Sequence, residues 1–587
     1  MSESFVAKNA GYARRVGLLT LLVAGLLLGP AIGCGGCSES KDSVPTSKAA
    51  RVEQMTSRLP ASTDMVVIAG DLVETRQTLN DLHSRVGQVL PVAQLIQQQI
   101  QSEIGVNILS AESWQQAGIA PNSGLVLGIL NNRPILLTYV DDRQAFEATI
   151  VERTKKTLRI EAPIKSEEIA GQTIKSASQT AGRDMAWFYD GKLAIVALPA
   201  IETKDAMEGG SAIVVASQLA SLKKADSLQP TAGFQKFYKA LGADYPVSAY
   251  VNAERFLNST SMADSQKDMR AGASAFVNWS KQNARGVGLG LKAETNQAKL
   301  RAFIDPSDEI TKSALAARKA PSSINWESFA TDKTLLGIRS SANFQQLWKG
   351  YLASLPDAQR RSLQRDLQHM GKDFGIDIES DVFSGLTGNA VFFFYGVDLG
   401  ALMGGMQDDV FQAIRAFGAV ASVQLNDQAT LEALVQKLNT AGKGMLGLRY
   451  LADESGEPVE SIQVLELKNM ESTPGSFYAK DDRLTFATAA FSEWSVQQYL
   501  TDSRTDAKLS SAANLDLGKR FASHEGFHGI YINFVRAADH LGSAVPIPMV
   551  QQTLNQLEEL LIEVEVENEG IFTTVTLDLM PAPAAAP

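Results

Sequence analysis

The chain predicts an α+β protein of two related domains, an internal duplication in which each copy is a mostly antiparallel or mixed sheet covered by helices. Three observations predict it. Landmarks recur in one order when 52–310 is read against 322–580. Their offset stays nearly constant: Asp64 to Asp332 spans 268 residues, Tyr189 to Tyr478 spans 289 and Tyr250 to Tyr531 spans 281. Strand-like runs come in pairs with short connections, and helical stripes separate the pairs.

Each copy opens the same way. Thr63-Asp64 precedes the apolar run 65–69, and Thr331-Asp332 precedes 334–338. A helical pattern follows each run. Its apolar positions are Leu79, Leu82, Val86, Val89, Leu95 and Ile96 in the first copy, and Phe344, Leu347, Tyr351, Leu355, Leu363 and Leu367 in the second. Steps of three and four put these groups on one face, which must be buried. Pro91 and Pro356 interrupt the stripes and predict a helix pair with a corner. Gly105 and Gly375 suit a left-handed C-terminal cap. Strands are expected at 125–130 with 135–140, and at 391–395 with 419–425. Helices should begin at Gln144 and Gln428. Trp187-Phe188-Tyr189 matches Ser476-Phe477-Tyr478, and 249–252 matches 530–533. The final hairpins are 286–293 with 299–304, and 561–567 with 572–579.

With 587 residues, 45% hydrophobic and 20% charged, the composition is globular and unlike a disordered, collagen-like or multi-span membrane chain. A net charge of −11 speaks against a nucleic-acid partner. Both cysteines, Cys34 and Cys37, lie near the N-terminus. A body without thiols suits an oxidising compartment, where free thiols cross-link.

The N-terminus supplies the address. Arg14-Arg15 precedes an uncharged, leucine-rich run over 16–33 that Pro30 and the glycines break, which reads as a secretory signal rather than a lasting membrane span. The run ends Ala31-Ile32-Gly33-Cys34 and resembles the lipobox of bacterial lipoproteins, with Ala in place of the usual Leu and Cys37 as a second, poorer candidate. The resemblance implies cleavage after Gly33 and a diacylated Cys34. Gly35, where Asp would signal inner-membrane retention, implies an outer-membrane destination. The expected organisation is a signal peptide at 1–33, a lipid-anchored flexible linker at 34–57, repeat domains at 58–310 and 322–580, and a Pro/Ala tail at 581–587. The opening Leu59-Pro60-Ala61-Ser62-Thr63 and the doubled layout resemble exported bacterial families known as domains of unknown function, which carry no assigned catalytic residues.

Candidate chemistry is sparse. His524-Glu525-Gly526-Phe527-His528 matches H-E-x-x-H, whose histidines hold zinc only when one helical turn aims both at the ion while the Glu acts as base. Gly526 and Gly529 weaken a helix there, the following residues read as a strand, and no third ligand is evident. The expectation is therefore a turn entering a strand, with no metal and no cofactor. Gly286-Val287-Gly288-Leu289-Gly290 resembles a phosphate loop superficially, but no helix follows, and the run reads as a strand packed against a helix. Glu563, Glu565 and Glu567 alternate with Ile562, Val564 and Val566, which predicts a solvated carboxylate face. The segment 396–418 has no counterpart in the first copy. Leu399, Leu402, Met403, Met406 and Val410 line one helical face there, expected to be a core helix or a contact for a partner or apolar ligand.

These features point to a non-catalytic, lipid-anchored envelope protein that binds or scaffolds. Its expected partners are the membrane, through the anchor, and an envelope protein or apolar ligand. Alternatives are a zinc metallopeptidase using His524, Glu525 and His528, and a lipid carrier with 396–418 as its flap.

Overall fold

The computed structural model describes residues 43–86, 110–200 (except 158 and 181–182), 210–257 (except 243–244), 281–318 (except 282 and 295), 328–441 (except 356, 374–375, 399, 401 and 403–414), 446–467 (except 454), 475–542 (except 492, 502, 504–507, 513–514 and 524–527) and 556–580 (except 569). The chain divides into two compact units between Ser307 and Asp308.

The first unit is α+β. It begins with helix α1 (Lys48–Thr56), strand β1 (Met65–Ala69) and helix α2 (Leu72–Val86). Then come β2 (Leu125–Leu130), β3 (Arg133–Tyr139), β4 (Lys165–Ile169), β5 (Gln172–Thr180), β6 (Arg183–Asp190) and β7 (Leu193–Ala197). Helices α3 (Ala212–Ala220) and α4 (Ala232–Phe237) precede β8 (Val247–Asn252), β9 (Ala284–Glu294) and β10 (Gln297–Pro306). These strands pair antiparallel throughout, in the order β4-β5-β6-β7-β3-β2-β1-β8-β9-β10. β2 turns into β3 through Asn131 and Asn132, both with positive φ (49° and 61°), as a two-residue hairpin requires.

The second unit holds α5 (Asp308–Ala317), β11 (Leu336–Ser341), α6 (Phe344–Ser354), α7 (Asp357–Asp373), β12 (Leu386–Val397) and β13 (Phe417–Leu425). It continues with α8 (Gln428–Ala441), β14 (Leu446–Ala452), β15 (Pro458–Leu467), β16 (Gly475–Lys480) and β17 (Arg483–Thr488). Helices α9 (Glu493–Thr501) and α10 (Asp516–Ser523), strand β18 (His528–Asn533), α11 (Phe534–Gly542), β19 (Leu557–Glu567) and β20 (Gly570–Leu579) complete it. The sheet is again antiparallel and runs β14-β15-β16-β17-β13-β12-β11-β18-β19-β20. Position for position, this is the order of the first unit. The break expected at Pro356 falls between α6 and α7, where Leu355 takes the extended backbone that a following proline favours.

The linker expected over 34–57 is corrected at its end. α1 is a packed helix, with Val52 and Met55 fully buried and Ser47 capping Ala50 N–H. Arg51, also buried, donates to the carbonyls of Pro45, Thr46 and Gly70 and pairs with Asp71 at 2.7 Å. Two apolar residues among polar neighbours were too few to show a stripe. The residues proposed for a signal, lipidation and tail (1–33, Cys34 and 581–587) lie outside the described residues.

One ion pair ties several elements of the first unit together. Arg133, wholly buried, pairs with Asp184 (3% exposed) at 2.8 Å and donates to the carbonyls of Leu198 and Gly210. Asp184 in turn accepts from Ser211 Oγ and Ala212 N at the start of α3. Removing one partner strands the other charge in a dry interior. Arg133→Met is therefore expected to cost the first unit about 3–5 kcal/mol, read from urea unfolding, whereas Lys192→Met in the half-exposed pair with Asp141 costs less than about 1 kcal/mol.

Candidate functional site

In β19 the side chains alternate across the sheet, as the sequence predicts, but the face assignment is corrected. Of the three carboxylates, Glu563 is covered rather than solvated, while Glu565 and Glu567 stay partly exposed; Glu559 and Glu563 are each 1% exposed, with Leu561 buried between them. Helix α10 lies over this face. Glu563 pairs with Arg520 of α10. Glu559 accepts Leu517 N–H at 2.9 Å, Gly518 N–H at 3.0 Å and the Tyr531 hydroxyl at 2.7 Å. It thus satisfies two N–H groups that the first turn of a helix leaves without intrahelical partners, and its charge suits that end of the dipole. Gly518 allows the approach, since a Cβ there would stand 2.6 Å from Leu509 and 3.1 Å from the Tyr531 hydroxyl.

The corresponding place in the first unit is filled differently. Asn252 pairs with Gly286 as Asn533 pairs with Glu559, so Gly286, Gly288 and Gly290 occupy the positions of Glu559, Leu561 and Glu563. The glycine run is strand β9, as expected, and it packs against a helix. A Cβ on Gly288 would meet Phe237 of α4 at 2.5 Å, and one on Gly290 would meet Tyr245 at 2.0 Å. Rings fill the space that carboxylates occupy in the second unit. Lys236 of α4 reaches buried Asp305 at 2.7 Å, much as Arg520 reaches Glu563.

Burial pushes the Glu559 carboxyl above its ordinary value, although its three hydrogen bonds pull the other way, and the nearby Glu558 charge adds to the rise. Burial also raises the Tyr531 hydroxyl, helped by the Glu559 charge. Such shifts often mark reactive centres. Here Tyr531 is wholly buried and Glu559 nearly so, so neither can meet a substrate. The arrangement holds a helix on a sheet.

The zinc reading is corrected as well. The helix that H-E-x-x-H requires ends at Ser523, and His528 opens strand β18, paired with Ser340 and Val564. A strand position cannot share a helical turn with His524, and burial lowers the His528 imidazole below its ordinary value. His524 and Glu525 lie outside the described residues. Among the described residues, no group of three His, Cys, Asp or Glu side chains could hold a metal ion. The ends of 396–418 are strand rather than helix, in β12 and β13. Leu402 is helical and half-buried, its N–H donating to the Asp398 carbonyl at 2.9 Å, while Leu399, Met403, Met406 and Val410 lie outside the described residues.

A surface feature escaped the sequence reading. Leu448 and Tyr450 share one face of β14 and are 42% and 48% exposed, and Phe477 of β16 is 40% exposed. Leu448 pairs with Leu465, and Leu465 with Phe477, so the apolar row crosses three strands. α8 covers its middle, where Leu465 packs with Leu431, Leu434 and Val435. Alternation in Leu446-Gly447-Leu448-Arg449-Tyr450 was the available signal, and Gly447 blurs it.

No family model matches the chain, and no curated protein matches it. Among solved structures it is similar to crystal form I of TP0453, at 9% identity and a TM-score of 0.23, over 43% of this chain and 77% of that one. Crystal form III matches at 10% identity and a TM-score of 0.22, over 46% and 88% of the two chains. Likeness this slight carries neither fold nor function across.

The raised Glu559 value has a stability consequence of definite sign. A carboxyl that holds its proton more tightly when folded contributes stability that is complete below its unfolded value and lost as pH rises through the folded one. Compared with Glu559→Gln, the wild type should lose relative stability as pH climbs above about 4.3, the ordinary Glu value. Tyr531→Phe removes a hydrogen bond that favours the ionised form, so it should move that loss to higher pH. Urea midpoints across the pH range check both, and a pH-independent difference from Glu559→Gln would contradict the assignment.

Proposed function

We propose that the protein is a lipid-anchored component of the bacterial cell envelope that acts by binding or scaffolding rather than by catalysis. The observation that carries the binding role is the exposure of Leu448 and Tyr450 on β14 and of Phe477 on β16, on either side of the stretch that α8 covers. Exposed apolar groups gathered at one place, with a tyrosine among them, suit a protein contact. The buried carboxylates of the same unit support the non-catalytic part, because Glu559 and Glu563 serve to hold α10, the latter through the exposed Arg520. The lipobox-like Ala31-Ile32-Gly33-Cys34 supports export and acylation, with the outer membrane as the destination that Gly35 favours. Two or more acyl chains make such an anchor stable. The shared strand order supports origin of the two units by duplication.

Two measurements test this reading. With an alkyne-tagged palmitate, the wild type should be labelled and sediment with membranes, while Cys34→Ser should be unlabelled and stay soluble outside the cytoplasm. An unlabelled wild type in the cytosol would overturn the anchor. A photo-crosslinking residue at Phe477 in intact cells should give adducts with an envelope protein, and one at Glu167 in β4 should give none. Equal adducts from both positions would overturn the contact surface.

A further inference from the structure

β14 is the last strand of its sheet. Among the described residues it pairs only with β15, so the backbone groups of every second residue point away from any partner strand. The same slot in the first unit is β4, which reads Lys165-Ser166-Glu167-Glu168-Ile169 and is exposed along its charged length. Charges on an edge deter pairing with other chains. β14 has no such series. It presents Leu448 and Tyr450 outward on one face, while on the other Leu451 is buried in the core with Val464 and Val496. α8 and α9 both contact the strand, its pairing with β15 is irregular after Tyr450, and among the described residues no strand pairs with its other edge.

We propose that β14 receives an extended segment of another protein as an added antiparallel strand, with apolar residues at alternate positions facing Leu448 and Tyr450. This deepens the binding role proposed above and rests on it. Backbone hydrogen bonds supply the affinity in such strand addition, and alternate side chains supply the choice of partner. An apolar residue beside Leu448 and Tyr450 would extend the row that runs through Leu465 to Phe477 and pack against its exposed β14 end. The length is bounded at one end. After Ala452, Asp453 accepts Ser455 N–H and Glu457 N–H and forces a turn, so the added strand matches the seven residues of β14.

A second copy of this chain fits less well. Symmetric pairing of β14 centred on Arg449 sets that guanidinium against its own copy, and registers centred on Leu448 or Tyr450 shorten the ladder. Each copy also carries a net charge of −11. A foreign segment meets none of these costs.

The probe is a fluorescein-labelled heptapeptide alternating threonine and valine, with two glutamates appended for solubility, read by anisotropy against the whole chain. Saturable binding is expected, weakened by about tenfold or more in the double variant Leu448→Lys, Tyr450→Lys. Both side chains are half-exposed, so the variant should keep the wild-type circular dichroism and urea midpoint. A peptide N-methylated at each threonine, or one N-methylated at each valine, should fail, since only one set of N–H groups faces β14. Hydrogen exchange should show new protection within 446–452. Absence of binding, equal binding by the double variant, or equal binding by both methylated peptides would overturn strand addition. So would a dimer in sedimentation that the double variant abolishes. Failure of the peptide with Phe477 adducts intact in cells would remove strand addition alone, and loss of those adducts too would remove the binding role.

Discussion

The distance between a sheet and the helix lying on it is set by what stands on the sheet surface, and both units turn on one such place. In β9 that surface is bare backbone at Gly286, Gly288 and Gly290, and the rings of Tyr250, Phe237 and Tyr245 descend into the space. In β19 the same positions carry Glu559, Leu561 and Glu563. Carboxylates cannot remain under a helix without donors, so α10 offers its first N–H groups and Arg520, and Tyr531 supplies a hydroxyl. One architecture thereby holds a ring-filled layer in one unit and a hydrogen-bonded layer in the other. The polar version is demanding, since each buried oxygen needs a partner, and this commits Glu559 to structure rather than reaction.

Much of the architecture was legible because apolar periodicity survives wherever one face is buried. Strands β2, β3, β8, β9, β10 and their counterparts stand out by alternation or by continuous apolar runs, and the hairpin signals between them are short. The outer meander was harder to see. β4 is exposed and charged, with no core face to leave a pattern, and β5 is rich in serine and threonine. β14 and β15 alternate, but Gly447 and the charged residues of 457–460 break the rhythm.

The carboxylate face shows where pattern reading stops. Alternation in β19 established that Glu563 and Ile562 point opposite ways, but not which side α10 would cover. That choice depends on Arg520 and on the start of α10, some forty residues away in sequence, and only the assembled fold brings them together. The motif at 524–528, read from its glycines and the apolar run after it as a turn entering a strand, shows the same dependence on context. The i, i+4 spacing has meaning only on a helix, and β18 takes His528 into the sheet.

The grip of Arg51 on the carbonyls of Pro45 and Thr46 shortens the leash implied by acylation at Cys34. Pro45 stands eleven positions after that cysteine in the sequence, and a chain of eleven residues spans at most roughly 40 Å. The first unit would then hover close above the leaflet that holds the anchor. On the proposal of acylation at Cys34, whatever engages the first unit at its N-terminal helix would have to come within that reach of the bilayer.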